Sequence, residues 1–413
     1  MKKLTGGFDN GLGAVLISEH SFVSFEKIAR RHFRTFSTVS VQTRRLSRYL
    51  YVSFRQLRTN SRLASRRRWA RCGLLRCKQR RRCGARNSYR EKADLRIDKL
   101  TVGRMLVVME HDDLKRLLGP FPARCPLAAV RLGAVDCGSY VRETIEYAVE
   151  ADERIKCFVL VPKHIDRTAP AIFAHHQHAS QFHLGKSEVV GLEGDRDQAY
   201  ASELAERGYV VIAPDALAFG DRNWSNPSGY AEYFELATRL VQGKTLLSKC
   251  LHDVSVALDY LVARPEVDPL RIGFIGHSYG GKMAIWAPAL DHRIRASVSN
   301  CGCVSYKRSL IRDTGVQMEF CVPGMLQFGD IEDIVRLVAP RALLLQATSD
   351  DVWSRGAKEI FEYAGSAFPQ GKFKLGYWPG GHVFTPEMRQ AAYYFLDEQL
   401  RDRDDSIRMC FGR

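Results

Sequence analysis

Apolar and polar positions along this chain change period many times, and the alternation itself sketches an architecture. Residues 140–149 and 155–161 read as strands, the second alternating and rich in β-branched residues. Ala151-Asp152-Glu153 between them predicts an antiparallel hairpin. Residues 171–174 form a short continuous apolar run ending at His175-His176-Gln177-His178. Asp195 is placed to cap a helix running to Arg207, with Gly208 ending it before a strand at 209–213. Leu247, Leu251, Val254, Leu258 and Leu261 mark a long amphipathic helix that Pro265 stops. A buried strand at 272–275, a helix at 280–287, strands at 294–298 and 341–347, a helix at 356–368 and a last strand at 373–377 follow. Thr385-Pro386 opens a terminal helix with a stripe of Met388, Ala392, Phe395 and Leu400, and an initial helix covers 114–118.

Strand and helix alternating over this length predict an α/β fold, a mostly parallel twisted sheet with helices on both faces. Two stretches do not fit simple connections. Residues 215–245, with Trp224, Tyr230, Tyr233 and Phe234, and residues 301–330 read as insertions layered over a site.

Charge changes the picture of the first hundred residues. The 413-residue chain carries a formal +16, yet residues 1–104 hold 27 Lys/Arg against 6 Asp/Glu, leaving 35 against 40 for 105–413. The division expected is therefore a basic Arg/Ser-rich extension, 1–104, without sustained periodicity and not expected to fold alone, and a mildly acidic body, 105–413. The extension has three readings: a targeting presequence, a nucleic-acid-binding tail, or sequence upstream of a start at Met105 or Met109, which is preferred because the body makes domain-like sense from there. Eleven scattered cysteines without a secreted-domain framework point to a reducing compartment, hence the cytoplasm. No run approaches eighteen apolar residues, so no membrane partner is expected.

Chemistry centres on Gly276-His277-Ser278-Tyr279-Gly280-Gly281, directly after the apolar run Ile272-Gly273-Phe274-Ile275. The pattern has the form of a nucleophile elbow, in which a strand enters a strained turn and flanking glycines avoid collision. Ser278 is the candidate nucleophile. A serine hydroxyl needs a base, and the base needs a carboxylate to orient it. Asp350, immediately after the strand through Leu343-Leu344-Leu345, and His382, in Gly380-Gly381-His382-Val383-Phe384, follow in the order such triads require. Asp351 competes with Asp350. The first aspartate is preferred because Asp350-Asp351-Val352-Trp353 fits the hydrolase pattern Asp-x-Val/Ile-x. For the developing oxyanion the backbone N–H of Tyr279 is one donor, and His178, with Gln177 next, is the choice for the second. Metal binding by His175, His176, His178 and His183 has no carboxylate or cysteine at helical spacing behind it, so neither metal nor cofactor is expected. Cys301 and Cys303 are read as buried small residues, and Trp224, Trp353, Trp378 and Tyr279 as packing or pocket aromatics.

Over residues 110–400 the sequence resembles the dienelactone-hydrolase and acetyl-xylan-esterase-like branch of the α/β-hydrolases. The resemblance is carried by Leu118-Gly119-Pro120-Phe121-Pro122, Phe158-Val159-Leu160-Val161-Pro162-Lys163, Ala174-His175-His176-Gln177, Gly185-Lys186-Ser187-Glu188, Gly208-Tyr209-Val210-Val211-Ile212-Ala213-Pro214-Asp215, the elbow and Gly381-His382-Val383-Phe384. It implies a cofactor-free hydrolase acting on a small-molecule ester or lactone through an acyl-enzyme. Dienelactone hydrolases proper use cysteine, so serine here moves the expectation towards a carboxylesterase. Two alternatives remain open: a peptidase or amidase on the same triad, and a nucleic-acid-associated protein with an inert hydrolase body. The body's net charge of −5 gives the second no help.

Overall fold

The computed structural model describes residues 109–401, and the basic extension at 1–104 lies outside them. Helix α1 (His111–Leu118) is followed by strands β1 (Val130–Asp136), β2 (Tyr140–Glu150), β3 (Glu153–Pro162) and β4 (Ala169–His175). Then come α2 (Tyr200–Glu206), β5 (Val210–Pro214), α3 (Tyr230–Val241), α4 (Leu246–Val262) and β6 (Val267–His277). Helix α5 (Tyr279–Leu290), β7 (Ile294–Asn300), α6 (Ile331–Val338), β8 (Ala342–Thr348), α7 (Ala357–Ala364), β9 (Phe373–Trp378) and α8 (Pro386–Leu400) complete the order.

The nine strands form one sheet in the order β1-β2-β3-β5-β4-β6-β7-β8-β9. The first three neighbouring pairs are antiparallel and the remaining five parallel. This is the expected architecture, with one strand that pattern did not reveal. Every residue of β1 is exposed, so its sequence carries no buried face to read.

Period-2 alternation divides the sheet between two apolar layers. On β4, Ala171 and Phe173 face the layer of α4, α5 and α6, whereas Ile172 and Ala174 face that of α2 and α8. Strand β8 does the same, with Leu343, Leu345 and Ala347 on the first side and Ala342 and Leu344 on the second. Both faces are covered, which is why these strands read as continuous apolar runs.

Strand order reverses at β4, whose neighbours are β5 on one side and β6 on the other. The carboxyl ends of β4 and β6 therefore open a crevice where chains leave in opposite directions, the usual place for a ligand in such sheets. Above it lie the two irregular stretches, the first holding α3 and the second a wide helical segment at Tyr306–Thr314 and a single turn at Met318–Phe320.

The first insertion is pinned to the body by a buried ion pair. Asp215, just past β5, accepts from the Lys186 ammonium at 2.5 Å and from the Lys186 backbone N–H at 2.7 Å. Gly185 and Gly220 close over this carboxylate, since a Cβ on either would come within 2.1 and 2.3 Å of Asp215 Oδ1. The sequence landmarks Gly185-Lys186 and Pro214-Asp215 are two halves of one contact.

Candidate active site

The chain turns sharply between β6 and α5 at Ser278, whose φ of 58° and ψ of −110° are costly for a residue bearing a Cβ. The turn closes only because glycines flank it. A Cβ on Gly276 would lie 2.3 Å from the Gly280 carbonyl carbon, and one on Gly280 would lie 2.2 Å from the His175 carbonyl oxygen. Ser278 N–H donates to Asn300 O on the neighbouring strand at 2.9 Å, which anchors the strained residue. Only 8 % exposed, Ser278 sits at the N-terminus of the 12-residue helix α5, where helix dipole and free N–H groups favour negative charge.

His382 stands in the loop between β9 and α8, and its Nδ1 lies 3.0 Å from Asp351 Oδ1. The Asp351 side chain is 1 % exposed. Burial pushes this carboxyl up, but the His382 hydrogen bond and charge, with donors from Ser354 and Trp353, outweigh it and hold the group below its ordinary range. An ionised carboxylate only accepts, so Nδ1 carries a proton, and in the neutral ring Nε2 is then the bare nitrogen a general base needs. Ser354 Oγ donates to Asp351 Oδ2 at 2.6 Å, and Trp353 N–H to Oδ1 at 3.0 Å.

The carboxylate that meets His382 is thus Asp351, not the expected Asp350. Past the end of β8 the chain stays tied to the end of β9 and the residues after it, Ser349 N–H donating to Trp378 O and Asp350 N–H to Gly380 O. Asp350 is still held at this edge with its side chain exposed, and the next residue is the first to turn inward as cap of the turn Val352–Ser354. Counting residues from a strand end does not locate that turn.

Asn300, which the sequence reading passed over, links both sides of the site. Its side-chain amide donates to Val383 O at 3.0 Å and faces His277 Nδ1 at 2.7 Å. The residue before Ser278 and the residue after His382 are thereby held by one buried side chain. The available signal was a polar Ser299-Asn300 ending an otherwise apolar strand.

The loop after β4 approaches the elbow through His175 and His176, whose carbonyls pack on Gly280. Both imidazoles are structural. His176 Nε2 accepts from Ala216 N–H at 3.0 Å, and its Nδ1 donates to Gln177 O at 2.7 Å. Burial takes these rings down to about 3 and about 4, so both are neutral at ordinary pH. His178 Nδ1 accepts from Ser180 N–H at 3.0 Å, so Nε2 carries the proton and donates to Glu232 Oε1 at 3.1 Å. The Gln177 amide donates to Glu188 Oε1 at 3.0 Å, while His183 is exposed. Of these four histidines only His178 lies in a cluster with carboxylates, Glu232 and Glu319.

All seven cysteines among the described residues are free thiols, and burial pushes Cys301, beside Asp351, up to about 12. Of the aromatics, Trp224 is exposed on the first insertion, Trp353 covers Lys282, Trp378 packs in the α8 layer and Tyr279 is buried.

Fold and turn geometry together define an α/β-hydrolase. A Bacillus subtilis (strain 168) protein named as a hydrolase, YtaP, is 31 % identical over 297 residues, which cover 70 % of this chain and 97 % of that one. The dienelactone hydrolase family pattern matches residues 186–328. The chain belongs to the dienelactone hydrolase family, whose match here supports an esterase-like hydrolase. Among solved structures, an acetyl xylan esterase homologue from Bacteroides fragilis shares the fold at a TM-score of 0.53 and 19 % identity, covering 65 % of this chain and 73 % of its own. A glucuronoyl esterase from Solibacter usitatus does so at 0.51 and 18 %, covering 68 % and 88 %. Among the described residues no helix is long and apolar enough to cross a membrane.

Proposed function

We propose that this protein is a serine esterase that cleaves small-molecule carboxylic esters or lactones through a Ser278–His382–Asp351 triad. The observation that carries the reading is His382 Nδ1 on the buried, ionised Asp351, in a loop at the same sheet edge as the strained Ser278. His382 Nε2 takes the Ser278 proton as Oγ attacks the ester carbonyl, and Asp351 stabilises the imidazolium that forms. The oxyanion is received by the Tyr279 N–H at the start of α5, with the second donor drawn from the loop after β4, His178 or Gln177. His382 then protonates the departing alcohol, and the same residue activates water to release the acid. The carbohydrate esterases among proteins of this fold favour an ester carried on a sugar.

Purified protein incubated with a fluorophosphonate should be labelled at Ser278 and should hydrolyse p-nitrophenyl acetate far faster than the matching anilide. Folded protein that takes no label, or that prefers the anilide, would falsify the proposal.

A further inference from the structure

The elbow carries a histidine that the triad does not employ. His277 ends β6 directly before Ser278 and is 1 % exposed. Its ring centre lies 4.6 Å from that of His382 at an interplanar angle of 40°, and 6.0 Å from that of Phe384 at 19°. Both of those rings belong to the loop between β9 and α8. Val383, the residue between them, accepts from Asn300 Nδ2 at 3.0 Å, and the same amide donates to His277 Nδ1 at 2.7 Å. His277 Nδ1 is therefore an acceptor and Nε2 carries the ring's proton, although that buried nitrogen meets no hydrogen-bond partner.

Asp351 holds His382 at Nδ1. A bond at one nitrogen fixes that atom and leaves the ring free to swing about it, which would carry Nε2 off the line to Ser278. Contact with a second ring removes the freedom, and His277 supplies it from the residue adjoining the nucleophile. Aromatic pairs at this centre-to-centre separation attract one another beyond the area they bury. Charge is arranged to match. Burial, and after it the charge of His382, keeps His277 well below the ordinary imidazole range. His277 stays neutral, so a proton leaving Ser278 has one imidazole to occupy.

We infer that His277 is a positioning residue for the general base, its ring holding Nε2 of His382 towards Ser278 while its hydrogen bond with Asn300 serves stability; this rests on the serine-esterase reading and adds a member to its machinery. The ring and the hydrogen bond make separate contributions, so substitutions can remove one and keep the other.

The test compares two variants with wild type on p-nitrophenyl acetate. His277→Asn sets an oxygen where Nδ1 stands and removes the rest of the ring. Its kcat should fall about ten- to a hundredfold with KM within about twofold, as expected when a reacting group drifts by about 1 Å. Its rate of fluorophosphonate labelling should fall in parallel, because that reaction uses the same base. His277→Phe, the conservative variant for the ring, should recover kcat to within about threefold of wild type. Its Tm should nevertheless lie below that of His277→Asn, because the buried Asn300 amide is left one acceptor short. A role in packing alone would make activity follow stability, which is the reverse order. A loss under tenfold in His277→Asn overturns the proposal, as does a loss expressed in KM or a His277→Phe enzyme that recovers nothing. Should His277→Asn fail to fold, His277→Gln, which also lacks the ring, is held to the same kinetic limits. Wild type that takes no fluorophosphonate label defeats the esterase reading, whereas labelled wild type beside an unslowed His277→Asn defeats only the positioning role.

Discussion

Replacing Asp351 by asparagine separates the two adjacent aspartates. The amide would keep the shape of the cap and an oxygen for the Ser354 and Trp353 donors, so folding should survive with Tm within a few degrees. What disappears is the charge opposite the imidazolium. At the observed 3.0 Å separation that attraction is about 5 kcal/mol for an effective dielectric of about 20, and somewhat less because His382 is 30 % exposed. At 1.36 kcal/mol per power of ten, kcat should fall about a thousand- to ten-thousandfold. An amide can also offer its NH2 to Nδ1 and leave the wrong ring nitrogen protonated, which acts in the same direction. Asp350→Asn, at an exposed carboxylate held only through its backbone, should stay within about threefold of wild type. Initial rates on p-nitrophenyl acetate and the rate of fluorophosphonate labelling measure both variants. Equal losses in the two, or an Asp351→Asn enzyme keeping a tenth of its rate, would refute the reasoning.

Other outcomes follow from the same geometry. Gly276→Ala places a Cβ 2.3 Å from the Gly280 carbonyl carbon, and denaturant unfolding should show about 3 kcal/mol lost or no soluble protein. A fully active, equally stable variant would mean that the elbow is not closed in this way. Lys186→Met strips the cation from a buried pair whose side chains are 6 % and 0 % exposed, and about 3–5 kcal/mol should go with it; a loss under about 1 kcal/mol would show that the pin is dispensable. His175 and His176 are neutral in the fold, with values of about 3 and about 4 against an unfolded value of 6.5. The unfolded chain therefore binds more protons below pH 6.5, so their stability contribution is whole above that pH and is lost as pH falls towards 4. Tm measured from pH 7.5 to 4 should decline below 6.5, less steeply in His176→Gln, and parallel profiles would contradict the assignment.

Much of the molecule is written locally in its residues. Alternation along β4 and β8 encodes a sheet covered on both faces, because a strand between two helical layers must be apolar on both sides. The elbow was legible for a similar reason: at Gly276 and Gly280 a Cβ would strike backbone within three or four residues or on the adjacent strand, so the constraint is stamped on residue identity. His382 could be read from its place between the last strand and the last helix. The choice between Asp350 and Asp351 could not, because it depends on how far past β8 the chain stays bonded to the β9 loop. That distance is set by tertiary hydrogen bonds between segments some thirty residues apart. Strand β1 was hidden because an exposed edge has no buried side to pattern. The contact of His277 with His382 was hidden too, since rings on such distant segments meet only when the loop after β9 folds onto the end of β6. Sequence alone marked the strained turn at Ser278, for the backbone demands of such a turn are local. Tertiary structure decided which carboxylate meets His382 and which polar groups remain unpaired, for both depend on what distant segments bury.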